Sequence, residues 1–206
     1  MSGAFPISSS KFETLGIKSI QPTLISKSIS GKKLSRTIDA QRWAFTISVI
    51  TSTRATAYGE LMAFIVKQRS GKENFTVVPP EIEDARGSET GSVLVNGNQS
   101  AGDTTIAMDG FAGDGAGRFK AGDFIKFASH TKIYMVVSDV TSSSNAATVT
   151  IEPPLVADIA NDSAVTYDDV AFTVYLISDI QEFGSVGSDK DGANLYKYEF
   201  DVEEAL

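Results

Sequence analysis

Between Lys33 and Val78 the hydrophobic pattern changes period twice. Trp43, Phe45, Ile47 and Val49 alternate with Ala44, Thr46, Ser48 and Ile50, the period of two expected of a strand with one face on a core. Upstream, Ile38 and Ala40 follow the opposite phase, so a long strand from Lys33 with a bulge near Gln41 and Arg42 is expected. Tyr58, Leu61, Met62 and Ile65 then recur at helical spacing while Glu60, Lys67 and Arg69 fall elsewhere, which predicts one amphipathic helix. Thr53 is its candidate N-cap and Gly71 its stop. Phe75, Val77 and Val78 rebuild a strand that Pro79 and Pro80 end, because proline cannot continue a ladder.

On either side of this stretch the pattern is β-like. Residues 1–12 are small, polar and without period, as in a loose or partner-ordered arm. LGIKSI and TLISKSI, separated by Gln21 and Pro22, read as two strands, and Ser30-Gly31 as a turn. After Pro80 the run EIEDARGSETG is charged and aperiodic, as at a domain boundary. Short β runs follow at 93–95, 104–108, 123–128, 132–137 and 147–151, a spacing that suits a small Greek-key barrel or sandwich, OB-like barrels included. Alternation then returns in Val170, Phe172, Val174 and Leu176, and again in Tyr196, Tyr198, Phe200 and Val202. These two runs read as partners joined by the loop from Phe183 to Ala193, and they need sheet neighbours that only the N-terminal strands supply. The expected organisation is therefore a discontinuous β domain, 1–88 plus 169–206, with 89–168 inserted.

Charge follows that division. The net charge of −8 resolves into +5 for residues 1–88, −6 for 89–168 and −7 for 169–206. An acidic balance argues against a nucleic-acid grip, which needs clustered Lys and Arg. A basic N-terminal part and an acidic C-terminal part complement each other within one domain. No run approaches the ~18 apolar residues of a membrane helix, and no charged-then-apolar leader opens the chain, so a soluble protein that stays in its cell is expected. With no cysteine and the single His130, disulfides, thiolate metal sites and histidine triads lack material.

Candidate chemistry is sparse. MDGFAGDGAGRFKAGD, residues 108–123, carries Asp109, Asp114 and Asp123 among glycines. It lacks the alternating ligands and final Glu of a calcium loop, so a turn with special dihedrals is the simpler reading. Its glycines precede a β run and form no dinucleotide fingerprint, and Gly71-Lys72 lacks the rest of a P-loop. His130 beside Ser129 and Thr131 reads as a surface or hydrogen-bonded residue. The paired carboxylates, Glu81/Glu83/Asp84, Asp168/Asp169, Asp189/Asp191 and Glu203/Glu204, lie in loops or on strand faces where solvation explains them. Trp43 reads as core. No catalytic residue, cofactor or metal site is expected, and the function class that remains is a structural or binding component.

The segment RFKAGDFIKFASHTKIYMVVSDVTSSSNAATVTIEPPL, residues 118–155, resembles one found in tail-tip proteins of tailed phages. KKLSRTIDAQRWAFTISV, the helix ending KQRSGKENFTVVPP, and the closing FGSVGSDKDGANLYKYEFDVEEAL together resemble the siphophage distal tail protein, in the same order and with an insertion at the same place. The resemblance implies a mainly β protein: a β-sandwich with one α-helix, carrying an inserted small OB-like β-barrel. It further implies a virion component, assembled in the host cytoplasm as a homohexameric ring. The ring joins the tail tube protein to the baseplate hub, supports collar or tail fibre proteins, and lets DNA pass through its lumen without specific binding. This chain departs from the family in its longer glycine-rich loop at 110–117 and its more acidic insertion. Ring contacts are heterologous, so the basic Lys32, Lys33, Arg36 and Arg42 are candidate interface residues facing an acidic segment of the neighbour. Two other classes compete. In a carbohydrate- or receptor-binding module, Phe119, Phe124, Phe127 and Tyr134 would form an exposed sugar platform; a tail tube or tube-terminator subunit would share the core and stack or cap elsewhere.

Overall fold

The structure, a computed structural model, describes residues 3–7, 12–37 and 41–206. In chain order the first strands are β1 (Phe12–Ile20), β2 (Thr23–Lys27), β3 (Lys33–Thr37) and β4 (Arg42–Thr53). The long strand expected from Lys33 is thus two strands with different partners: β3 pairs with β2, and β4 with β1. The reason lies in the side chains. KLSRT offers no apolar row and is exposed throughout, whereas Trp43, Phe45, Ile47 and Val49 are all buried. Ile38 and Ala40, which carry the expected phase slip, lie outside the described residues.

A π-helical turn (Arg54–Tyr58) leads directly into α1 (Gly59–Lys67). Ala57, Tyr58, Leu61 and Ile65 line its buried face. Thr53 does stand at the entry in extended conformation, but its hydroxyl meets that of Thr56 instead of capping an amide. The helix also ends earlier than Gly71. Arg69 takes left-handed backbone (φ 53°), followed by Ser70 (φ 60°). Gly71 serves a close approach: a Cβ there would lie 2.7 Å from the Leu176 carbonyl oxygen. Strand β5 (Phe75–Val77) follows. Residues 3–7 are packed rather than loose, because Phe5 and Ile7 have apolar surface to bury and β5 has a free edge. Phe5 N–H donates to Thr76 O (2.7 Å), Thr76 N–H to Gly3 O (3.1 Å), and the Phe5 ring contacts Phe64, Phe75 and Phe200.

The middle of the chain supplies β6 (Leu94–Val95), β7 (Thr105–Asp109), β8 (Gly115–Ala116), β9 (Phe124–Phe127), β10 (Ile133–Val136), β11 (Thr141–Ser142), β12 (Ala146–Glu152) and β13 (Val165–Thr166). Six of them form a sheet in the order β13-β9-β10-β12-β7-β6. Its two edges nearly meet, through Val95 N–H to Ser163 O and Val165 N–H to Val93 O, both 3.0 Å, so the sheet curls into an almost closed barrel. The five expected β runs are all strands; β8 and β11 add a small ribbon.

Strands β14 (Phe172–Leu176), β15 (Ser185–Ser188) and β16 (Asn194–Glu204) complete the chain. The second large sheet runs β1-β4-β16-β14-β5, with β15 also on β16. Strands that a sandwich would divide between two layers are here hydrogen-bonded into one, with α1 packed on its apolar face. The result is mainly β with one α-helix. Leaving and re-entering this body, the chain runs side by side: Val170 N–H donates to Glu83 O (3.0 Å) and Ala85 N–H to Tyr167 O (2.9 Å). One core lies under the body's sheet and another inside the barrel, but Phe124 and Ile133 of the barrel belong to the body's core.

Candidate assembly surface

The β2–β3 hairpin stands apart from both large sheets. Among the described residues its strands pair only with each other, Leu24 opposite Arg36 and Lys27 opposite Lys33, and both faces are exposed. The turn is built locally: Lys32 N–H donates to the Ser28 hydroxyl and Gly31 N–H to Ser28 O, with Gly31 at φ +79°, where a side chain would be strained. Leu24, Ile25, Ile29 and Leu34 are exposed, Ile29 completely. Residues 21–37 also carry Lys27, Lys32, Lys33 and Arg36 and no acid. A lone two-stranded ribbon is marginal in water, and one that shows four large aliphatic side chains and four cations has the chemistry of an arm that docks.

Of the basic residues singled out from the sequence, Lys32, Lys33 and Arg36 share this hairpin. Arg42 does not. It lies in β4 opposite Ile20, its guanidinium 3.1 Å from Glu203 on β16. The complement between basic N-terminal and acidic C-terminal parts is partly satisfied within one chain, here and at Lys18–Asp201 (3.8 Å).

The aromatic platform is not on the surface. Phe119, Phe127 and Tyr134 are fully buried in the barrel core, and Phe124 is buried against Trp43 (5.1 Å, edge-on) and Phe172 (5.7 Å). Phe119, Phe127 and Tyr134 face the barrel interior and Phe124 the body's core, where all four contribute packing and no ligand face.

A polar network joins barrel to body. Lys132, at the start of β10, donates from its ammonium to Glu204 and to Gln41 Oε1 (2.8 Å). Glu204 also accepts from the backbone N–H of Ile133 (2.8 Å) and of Trp43 (3.1 Å), and Trp43 Nε1–H donates to Ile133 O (3.0 Å). Both charged side chains are about fully buried. Burial pushes the Glu204 carboxyl up and the Lys132 ammonium down, each against the attraction of the other. Glu204 thus departs from the solvated face expected of the C-terminal acids. It continues the inward phase of Tyr198, Phe200 and Val202, so the alternation itself carries the signal.

The glycine-rich loop is organised by a buried carboxylate. Glu89 Oε1 accepts from the N–H groups of Thr90, Gly91 and Ala112 (3.1, 2.6 and 2.8 Å). Asp114 accepts from Asn145 N–H (2.8 Å). That bond and another from Ser144 N–H hold its carboxyl below the usual range. His130 is buried: its Nδ1 lies 2.7 Å from Tyr134 Oη, which also accepts Val156 N–H. Burial holds the pKa of the imidazole down. Among the described residues no group of three or more His, Asp or Glu side chains is placed to hold a metal ion.

Among curated proteins no relative matches the chain. Residues 83–170, the barrel with its two connections, match the family model described as distal tail protein pb9, B domain, and that match supports reading the chain as a phage distal tail protein, a structural component of the virion tail.

Proposed function

We propose that six copies of this chain close into a ring at the tip of a phage tail. The ring continues the tail tube, joins it to the baseplate hub and supports collar or fibre proteins, and its lumen passes DNA. Residues 1–88 with 169–206 form the ring body, and the barrel of 89–168, OB-like in this reading, projects from it. Assembly takes place in the host cytoplasm before the ring joins the virion. The observation that carries the reading is the β2–β3 hairpin, an apolar and basic arm that has no further sheet partner among the described residues. An acidic protein offers DNA no basic grip, as a conduit requires. The reading is non-enzymatic and needs no cofactor.

Light scattering and negative-stain images of the purified chain test this. The expected result is a six-fold ring with six times the 21.9 kDa protomer mass. A stable monomer at tens of micromolar, or polymerised tubes, overturns it, tubes favouring a tail-tube subunit.

A further inference from the structure

The body also presents a surface of matching chemistry, at a gap in its sheet. Along β16, β15 pairs with residues 194–196 and β14 with residues 202–204, on the side away from β4. Between them no described strand pairs with β16 on that side. Instead the segment 178–182 lies there, tied down by the Tyr198 hydroxyl meeting Gln181 and by Ile177 N–H donating to Asp201 O (3.1 Å). A groove of about 390 Å³ opens at this place, lined by Ile180, Gln181, Glu182, Tyr198, Glu199 and Asp201 among others. Ile180 is 75 % exposed. The groove therefore joins an exposed aliphatic side chain to the carboxylates of Glu182 and Glu199, while that of Asp201 is held by Thr46 Oγ1 and Lys18.

We propose that this groove on one copy receives the β2–β3 hairpin of the next, which rests on the ring reading above and names its contact. Each half of the pair has what the other lacks. The hairpin offers Leu24, Ile25, Ile29 and Leu34 with Lys27, Lys32, Lys33 and Arg36; the groove offers Ile180 with Glu182 and Glu199. The contact is heterologous, hairpin to groove, and such contacts close into rings when the rotation allows. Apolar burial holds the arm, while opposite charge steers it and fixes its register.

The absence of cysteine permits a direct test in the full chain. Ile29→Cys and Ile180→Cys are combined, both at exposed positions, and oxidised. The expected result is a ladder of disulfide-linked species up to the hexamer, absent from either single variant. In parallel, Glu182→Lys with Glu199→Lys should lower the hexamer fraction at least tenfold, and Lys33→Glu with Arg36→Glu in the same chain should restore it. A ring that forms normally with no ladder and no response to charge reversal overturns the hairpin-to-groove contact and leaves the ring standing. A wild-type chain that forms no ring overturns both.

Discussion

Removing one partner of the Lys132–Glu204 pair should be among the most damaging single changes in the chain. Lys132→Met leaves the Glu204 carboxylate buried with two backbone donors and no counter-charge. Glu204→Gln leaves an ammonium buried with Gln41 Oε1 as its main acceptor. Loss of one member of a buried pair typically costs about 3–5 kcal/mol. Independent effects would bring the double variant to about 6–10 kcal/mol. The structure requires a milder outcome. With both charges gone, Gln at 204 still accepts one backbone N–H, so the remaining penalty is one orphaned donor, about 1–3 kcal/mol. Urea unfolding of the four proteins, followed by far-UV circular dichroism and by tryptophan emission, measures the cycle. Trp43 is the only tryptophan and donates to Ile133 O across the junction, so its emission reports the contact between barrel and body. The reasoning fails if either single variant costs under about 1 kcal/mol, or if the double equals the sum of the singles.

Two further outcomes follow from the barrel interior. Phe119→Ala should cost about 3–5 kcal/mol of stability, because the ring is fully buried against Phe111 and Tyr167; a variant of unchanged melting temperature would contradict its place in the core. His130 is held below its ordinary pKa of 6.5 by burial, so the unfolded chain takes up the proton first. Its contribution to stability is complete above pH 6.5 and is lost as the pH falls from there through the folded value. The urea midpoint of wild type should drop relative to that of His130→Gln between pH 7.5 and 5, and parallel curves would refute the assignment.

How far the sequence reveals this molecule depends on whether a feature is written in one segment or in two. The inward rows of β4, β14 and β16 are local alternations, and each is a strand where alternation puts one. Of the hairpin, β2 is visible as the β-prone run TLISKSI while β3 reads as the start of the long strand from Lys33, since a strand with no inward row gives no sign of which sheet it joins. Strands β8, β11 and β13, two residues each, are too short to show any period and are fixed by partners elsewhere in the barrel. The junction is the sharpest case. Glu204 falls on the inward phase of β16, in step with Phe200 and Val202, whereas Lys132 stands just before β10, where neighbouring residues are buried on both faces. Alternation therefore says that Glu204 points inward, and an inward charge demands a partner. Which partner is decided by the fold, which brings together two residues 72 positions apart. The aromatic platform fails because both faces of β9 are covered: Phe127 and Tyr134 lie in the barrel core and Phe124, on the other face, in the body's core, so the rings are committed to packing. The hairpin keeps no inward row, and its aliphatic and basic side chains stay exposed.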